Sequence, residues 1–482
     1  MRARPPLSFP AQLRGLWAAT CAALLAGCTS FSPDGGFARV QQATQQRLGQ
    51  DVQWPRTAAE RAALDQRVAQ LLAAPLGPDA AVQLALLNNR GLQASFQELA
   101  ITEADVVQAG RLPNPGLSLG RLRAGAETEV DLGLHLNLAP WLARPWLQAL
   151  QARRFEQAQA QAVLAVVNLA ADTRKAWVQA VWADETQRYA RQVAQAAQTG
   201  AELAQRMEQA GNFSPLQRAR EQAFQADAAL GLARAEQASV AARERLTRLL
   251  GLPGSQSAFT LPDRLPDLPD LPGVPAQAQD AAALERTALA ERLDVQAARL
   301  QVEQTAQQLG LTRRTRFINV LELGVLRNST TGAPAQRGLE VTFELPLFDW
   351  GDARVARAEA TYMQAVHLAA DTAVQAQSEV REAYAAYRAS HAIARQHLQE
   401  IVPLRKRIAE ENLLRYNGML IGVFELLADA RAQVAGVQAA IEAKRDFWLA
   451  QADLAMALTG RPRPGAAPLR WAPADAAADP AH

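Results

Sequence analysis

The side chains with chemistry to offer are few, and their spacing fits catalysis poorly. Gly116-Leu117-Ser118-Leu119-Gly120 matches the Gly-x-Ser-x-Gly spacing of a hydrolase nucleophile elbow. That motif works only where a strand, a sharp turn and a helix push the hydroxyl clear of the backbone. Here Ser118 lies inside an alternating strand pattern with no helix after it, so a hydrolase using Ser118 is only a remote alternative. The five histidines are His135, His367, His391, His397 and His482. His391 and His397 are six residues apart and so fall on different faces of a helix. No glycine loop suited to phosphate appears. The pattern offers no catalytic residue, no metal ligand set and no cofactor site.

Cys28 is the exception. Arg2, Arg4 and Arg14 give a positive start without an acid, and a short apolar run from Leu16 to Leu25 follows. The run is too short to span a bilayer and ends in small residues, as a secretory signal does. Its last four residues, Leu25-Ala26-Gly27-Cys28, resemble the lipobox of bacterial lipoproteins, in which the cysteine becomes the lipidated first residue of the mature chain. Each CH₂ buried by such a lipid adds about 0.8 kcal/mol of membrane affinity. The resemblance implies outer-membrane sorting, because Thr29 stands where an Asp would favour retention in the inner membrane. Cys21 leaves with the signal, so no disulfide and no thiolate metal site remains.

Charge excludes another class. The net charge of +2 becomes about −1 once the three signal arginines are removed, which gives no basis for binding nucleic acid. No later segment is apolar enough for a transmembrane helix. Any membrane crossing must therefore use strands.

The elements that would organise such a chain come twice. Gly211-Asn-Phe-Ser214-Pro215-Leu216-Gln217-Arg-Ala-Arg220 corresponds to Met419-Leu-Ile-Gly422-Val-Phe424-Glu425-Leu-Leu-Ala428 at an offset of 208 residues. Leu136 to Ala139 pairs with Phe343 to Pro346, and Asn89 to Ala94 echoes Arg292 to Ala297 at a slightly shorter offset. Each half reads as helix, strand pair, very long helix, turn, shorter helix. The segment from about Arg144 to Ala210 is predicted as one uninterrupted helix about 100 Å long. Its mate, from about Asp352 to Asn417, contains Pro403, which should kink or break it. The remaining helical pieces of each half, about 35 and 40 residues, would lie end to end against the long helix. Gly211, Gly418 and Gly422 are predicted to permit the turns that end the hairpins, together with Ser214 and Pro215. Leu252 to Pro275 carries six prolines and reads as an extended linker.

The predicted organisation is a signal peptide over 1–27, a lipidated N-terminal segment over 28–78 and a first helix–hairpin–helix repeat over 79–250. A Pro-rich linker over 251–276, a second repeat over 277–460 and a disordered tail over 461–482 follow. The strands carry the functional information. Val130, Leu132, Leu134, Leu136 and Leu138 alternate with Asp131, Gly133, His135 and Asn137, and Leu339, Val341, Phe343 and Leu345 alternate with Glu340, Thr342 and Glu344. A period of two gives one apolar and one polar face. Upstream partners at about Leu117 to Arg123 and about Phe317 to Leu326 complete two hairpins, closed by 124–127 and 328–338. Four strands cannot close a membrane barrel, and open edges are not tolerated in lipid. Two chains would give a barrel filled by side chains; three would leave room for a channel.

This arrangement resembles the TolC-type outer-membrane efflux family over essentially the whole mature chain. The repeat, Ala109 to Pro115 (Ala-Gly-Arg-Leu-Pro-Asn-Pro), Leu345 to Gly351 (Leu-Pro-Leu-Phe-Asp-Trp-Gly) and the turn from Tyr416 to Leu427 carry the likeness. The resemblance implies a fold that is mainly α with a small membrane β-barrel contribution: two repeats of long coiled helices plus a β-hairpin, assembled as a trimeric α/β barrel. It implies a homotrimer anchored in outer-membrane lipid and reaching into the periplasm, where a periplasmic adaptor and an inner-membrane efflux pump dock. It also implies a gate in which contacts between neighbouring hairpins hold the tunnel shut. Tyr416 matches a position of that latch, Glu425 falls where the family carries an acid, and Gln217 stands at the equivalent place of the first repeat. Arg220 follows that first turn and joins the gate candidates. Ile421 and Ala428 replace residues that can be charged in relatives. The alternative class is a periplasmic coiled-coil structural lipoprotein without a channel, which would leave the two amphipathic hairpins unexplained.

Overall fold

The computed structural model describes residues 30–254, 258–269, 278–317 and 320–462. The signal segment, Cys28, part of the Pro-rich stretch and all but the first two residues of the tail lie outside them. In chain order the elements are α1 (Phe37–Leu48), α2 (Ala58–Leu72), α3 (Pro78–Asn88), α4 (Arg90–Gly110), β1 (Gly116–Ala124), β2 (Glu127–Asn137), α5 (Ala139–Gln209) and α6 (Pro215–Leu250). The second half follows with α7 (Ala278–Glu291), α8 (Leu293–Thr315), β3 (Leu321–Thr330), β4 (Gln336–Phe343), α9 (Asp352–Gln396), a π-helical turn (His397–Ile401), α10 (Val402–Asn417) and α11 (Val423–Thr459). Among the described residues no helix is long and apolar enough to cross a membrane.

The chain forms two compact units. The first holds the sheet with the helix segments over 96–161 and 297–370 and the start of the chain. The sheet is antiparallel in the order β1-β2-β3-β4, so the two hairpins join through β2 and β3. β3 begins at Leu321 rather than near Phe317, because Arg316 and Phe317 still belong to the turn that ends α8. The second loop is also shorter than predicted, since Asn328 to Thr330 and Gln336 to Gly338 are paired strand. The N-terminal segment is fastened to this unit. Glu103 accepts from the Ser32 N–H at 2.6 Å, Gln159 donates to the Gly36 carbonyl, and Phe37 meets the Phe96 ring edge-on.

The second unit is helical and has the larger core. Trp177 on α5 is fully buried among Leu64, Leu76, Leu84, Val181, Leu246 and Leu250, and its indole N–H donates to the Leu76 carbonyl at 2.6 Å. The Pro-rich stretch forms no α-helix or strand over its described part, and Leu252, Phe259 and Leu265 are buried in this same core.

Three helix expectations need correction. α5 starts at Ala139, where the Asn137 side chain caps the first N–H, so Pro145 lies inside the helix rather than at its start. Pro145 is the seventh helical residue, so its missing N–H leaves the Trp141 carbonyl without its usual helical partner. Near Pro403 the regular α-helix is interrupted by the π-helical turn over His397–Ile401. The π turn ahead of it lengthens the hydrogen bond step, with the Val402 N–H reaching back to the His397 carbonyl, and α10 then starts with Pro403 in its first turn. The leading helix of each repeat is split in two, at Asn89 and at Arg292. These are the first residues of the two segments that echo each other in the sequence.

Candidate functional site: an amphipathic sheet and two hairpin turns

The sheet register puts the leucines and valines of the strands on one face, except Leu122 and Leu326, which lie on the other. Leu117, Leu134, Val325 and Leu339 form one row across all four strands, and Leu136, Leu323 and Val341 form the next, with Leu321 beside Phe343 beyond. All lie on one face. Leu117, Leu119, Leu339, Val341 and Phe343 are each at least 60% exposed, a contiguous apolar surface that a soluble protein does not present to water. The opposite face carries Glu129, Asp131, His135, Asn137, Glu322, Asn328, Glu340 and Thr342, with the Asn328 amide donating to Glu129. The outer edges of β1 and β4 have no partner strand among the described residues. Trp141, Trp146, Phe317, Phe348 and Trp350 are exposed where the strands meet the helices.

Ser118 lies on the polar face, and its Oγ is 2.9 Å from His135 Nε2. The pair does not make a nucleophile elbow. Ser118 is an interior residue of β1 opposite Gly133, and among the described residues no acid hydrogen-bonds to the other ring nitrogen of His135. A Cβ at Gly133 would come within 2.4 Å of Ser118 Oγ and 2.7 Å of His135 Nε2, so the pair as it stands requires the glycine or a shift of those side chains.

The second unit holds the hairpin turns. α5 ends in a Schellman motif: the Gly211 N–H reaches the Glu208 carbonyl and the Asn212 N–H reaches that of Met207, with Gly211 at φ +79°. Ser214 then caps α6. Its side chain accepts from the Gln217 N–H while Gln217 accepts from the Ser214 N–H, a complete capping box with Pro215 as first helical residue. The second turn repeats this 208 residues on, with two substitutions of role. The Met419 N–H reaches the Tyr416 carbonyl and the Leu420 N–H that of Arg415. The left-handed residue is Met419, at φ +59°, while Gly418 has φ −81° and Gly422 has φ −83°. Neither Gly418 nor Gly422 supplies the conformation predicted for it. The equivalent of Gly211 is a methionine, and Gly422 occupies the capping position of Ser214 without a side chain to cap with.

That exchange frees Glu425. It stands third in its helix as Gln217 does, but Glu425 is exposed and has no capping partner. Among the described residues the side chains of Tyr416, Glu425 and Arg220 make no hydrogen bond or ion pair, with one another or with Gln217. Other residues join the two turns: Phe213 stacks on Phe424 at 5.0 Å between ring centres, and buried Glu221 pairs with Arg431, whose guanidinium covers Phe224. The first pair is not at matching repeat positions, since the 208-residue offset sets Phe213 against Ile421 and Phe424 against Leu216; only the presence of an aromatic near each turn pointed to it. An acid and an arginine on helices rich in both gave no sign of the second.

No protein-family model matches the chain. The chain is 29% identical to the cobalt-zinc-cadmium resistance protein CzcC of Cupriavidus metallidurans over 280 residues, covering 58% of this chain and 64% of that protein. Among solved structures it superposes on the CmeC outer membrane channel of Campylobacter jejuni with a TM-score of 0.67 at 17% identity, covering 94% of each chain. The outer membrane protein VceC of Vibrio cholerae gives a TM-score of 0.64 at 18% identity, over 82% of this chain and 98% of that one. The chain has the TolC-type fold. In TolC-type terms the first unit is the strand-bearing part and the second the helical part, and the paired hairpins are the two structural repeats.

Proposed function

We propose that the chain is the outer-membrane exit duct of a tripartite efflux system, working as a lipid-anchored homotrimer that conducts passively and catalyses nothing. The observation that carries this reading is the exposed apolar face on a sheet whose two outer edges have no partner strand among the described residues. In lipid, each unpaired backbone group costs several kcal/mol, so the edges must meet strands of other chains. Three copies supply twelve strands, enough for an aqueous lumen. The polar face then lines the lumen, and the aromatics at the strand–helix junctions form the girdle expected at an interface. The likeness in fold to outer membrane channels supports the same reading.

Cys28 serves as the anchor. Ser32, four residues on, is hydrogen-bonded to the unit that carries the sheet, so a lipid on Cys28 has only a short chain to cross before reaching the bilayer that the sheet occupies. Cys28→Ala abolishes incorporation of labelled fatty acid; labelling that persists removes the anchor.

The cargo class is divalent metal cations. Two observations support it: the name of the CzcC relative, and the placing of Glu129, Asp131, Glu322 and Glu340 in four rows along the face assigned to the lumen, each of which three chains would repeat as a ring of carboxylates that favours cations. The periplasmic end is formed by the two turns. Phe213–Phe424 and Glu221–Arg431 bind the turns of one chain to each other, so opening occurs between chains, and Tyr416, Glu425 and Arg220 are the side chains available to latch neighbours, while Gln217 is held by the Ser214 cap. Exposed Met419 and Leu420 offer an apolar tip to a periplasmic adaptor, through which an inner-membrane pump connects. The experiment is conductance in a planar bilayer under a salt gradient. A cation-selective pore supports the duct and its cargo class, an anion-selective pore overturns the cargo class, and absence of any pore overturns the duct.

A further inference from the structure

The arginines of the sheet are placed as oddly as its acids. Every acid in β1–β4 lies on the polar face, while Arg121, Arg123, Arg327 and Arg337 all lie on the apolar face. All four are exposed and make no hydrogen bond or ion pair among the described residues. They also gather at one end. Arg123 pairs with Thr128 beside the first hairpin turn, Arg121 is one step below it on the same face, and Arg327 and Arg337 continue the row of Leu119 and Leu132 near the second turn. The aromatic girdle is at the other end only; no Trp, Tyr or Phe lies between Gly116 and Asn137 or between Leu321 and Thr342.

Arg327 and Arg337 are direct cross-strand partners. Like charges placed opposite each other destabilise a sheet in water. An anion bridging the two guanidinium groups removes that cost, and the planar fork of arginine matches phosphate in a bidentate manner. Arginine on a lipid-facing strand is also unfavourable except at the interface, where headgroup charge is available.

We propose that these four arginines form a belt that docks the phosphate groups of the outer leaflet's glycolipid, holding the hairpin end of the barrel in an anionic headgroup layer while the tryptophans hold the other end. The proposal rests on the reading of the apolar face as lipid-facing. The occupant is set by charge and by position: a phosphate-bearing lipid lies against a lipid-facing surface, and four unpaired cations there call for anions at the same depth. The belt explains why the two ends of one apolar face are finished with different residue types.

The test uses the full-length protein in neutral detergent, with bisphosphorylated lipid A and its phosphate-free counterpart as probes and native mass spectrometry counting the lipids retained. The wild type should retain the phosphorylated lipid preferentially, and R121Q/R123Q/R327Q/R337Q should lose that preference, by about fivefold for each arginine removed. Equal retention of both lipids by the wild type overturns the proposal, and this arm needs no variant to fold. A phosphate preference that survives unchanged in the folded variant overturns it as well. Conductance of the wild type in a neutral phosphatidylcholine bilayer reads the duct separately, so failure of the pore is not mistaken for failure of the belt.

Discussion

The two repeats solve the same local problem with different chemistry. Each has a leading helix broken at one residue, and in each the break is fixed to the end of the helix that follows the hairpin turn. In the first repeat the fasteners are neutral amides: Asn88 donates to the carbonyls of Leu250 and Gly251, and Asn89 donates to that of Leu249 while accepting from the Leu92 N–H. In the second repeat the fastener is a fully buried charge. Arg292 grips Asp294 with two nitrogens, pairs with Glu379 at 2.7 Å, and donates to the carbonyls of Ala376 and Ala457. Leu249 and Ala457 are 208 residues apart, so the same carbonyl is used in both repeats. Burial disfavours the Arg292 charge, but the two carboxylates outweigh it and hold its pKa above the ordinary arginine value. One arrangement is cheap to desolvate and modest in strength; the other is costly to bury and costly to break.

The largest expected effect follows from that contrast. Arg292→Ala leaves two acids facing a buried gap and should cost about 3–5 kcal/mol, the range for stripping one partner from a buried pair. Asn89→Ala removes a neutral amide and should cost about 1–2 kcal/mol. Thermal unfolding followed by helical circular dichroism measures both, and equal losses would mean that the charge is irrelevant to how the break is held.

The turns sharpen the comparison at smaller scale. Gly211 and Met419 occupy the same left-handed position, which costs a side-chain-bearing residue about 1–2 kcal/mol relative to glycine. Gly211→Met should therefore destabilise, and Met419→Gly should stabilise by somewhat less, because glycine loses more entropy on folding. If Met419→Gly destabilises, the exposed methionine has packing or docking value that outweighs its backbone strain.

The freed carboxylate at the second turn gives the smallest energetic effect and the most functional one. Exposed polar contacts are worth about 0–1 kcal/mol each, so Tyr416→Ala with Glu425→Ala should leave the melting temperature nearly unchanged while raising single-channel conductance. Gln217→Ala should open nothing by comparison, since Gln217 is already committed to the Ser214 cap. Unchanged conductance in the folded double mutant would move the latch elsewhere, with Arg220 the next residue to replace.

What could be read from the sequence divides along physical lines. Alternation at Leu132, Leu134 and Leu136, or at Leu339 and Val341, survives folding because a sheet converts period into face directly, and the register added only which strands share a row. The repeat offset correctly paired the caps Ser214 and Gly422. It did not identify which residue of Gly418-Met419 would turn left-handed, because glycine there suggested an answer and the hydrogen bonds of the Schellman motif fixed another. Arg292 was hidden for a different reason: an arginine among so many helical charges reads as solvated, and only its partners on α9 and α11 make it a buried fastener. The start of α5 was missed by five residues because Pro145 looks like a boundary, whereas the Asn137 cap sets the boundary earlier.

The central claim is that one chain contributes a third of a closed barrel. Native mass of the purified full-length protein in detergent tests it most directly. Three copies in one stable particle is the expected result. A stable, folded monomer that keeps its strands without partners would contradict it.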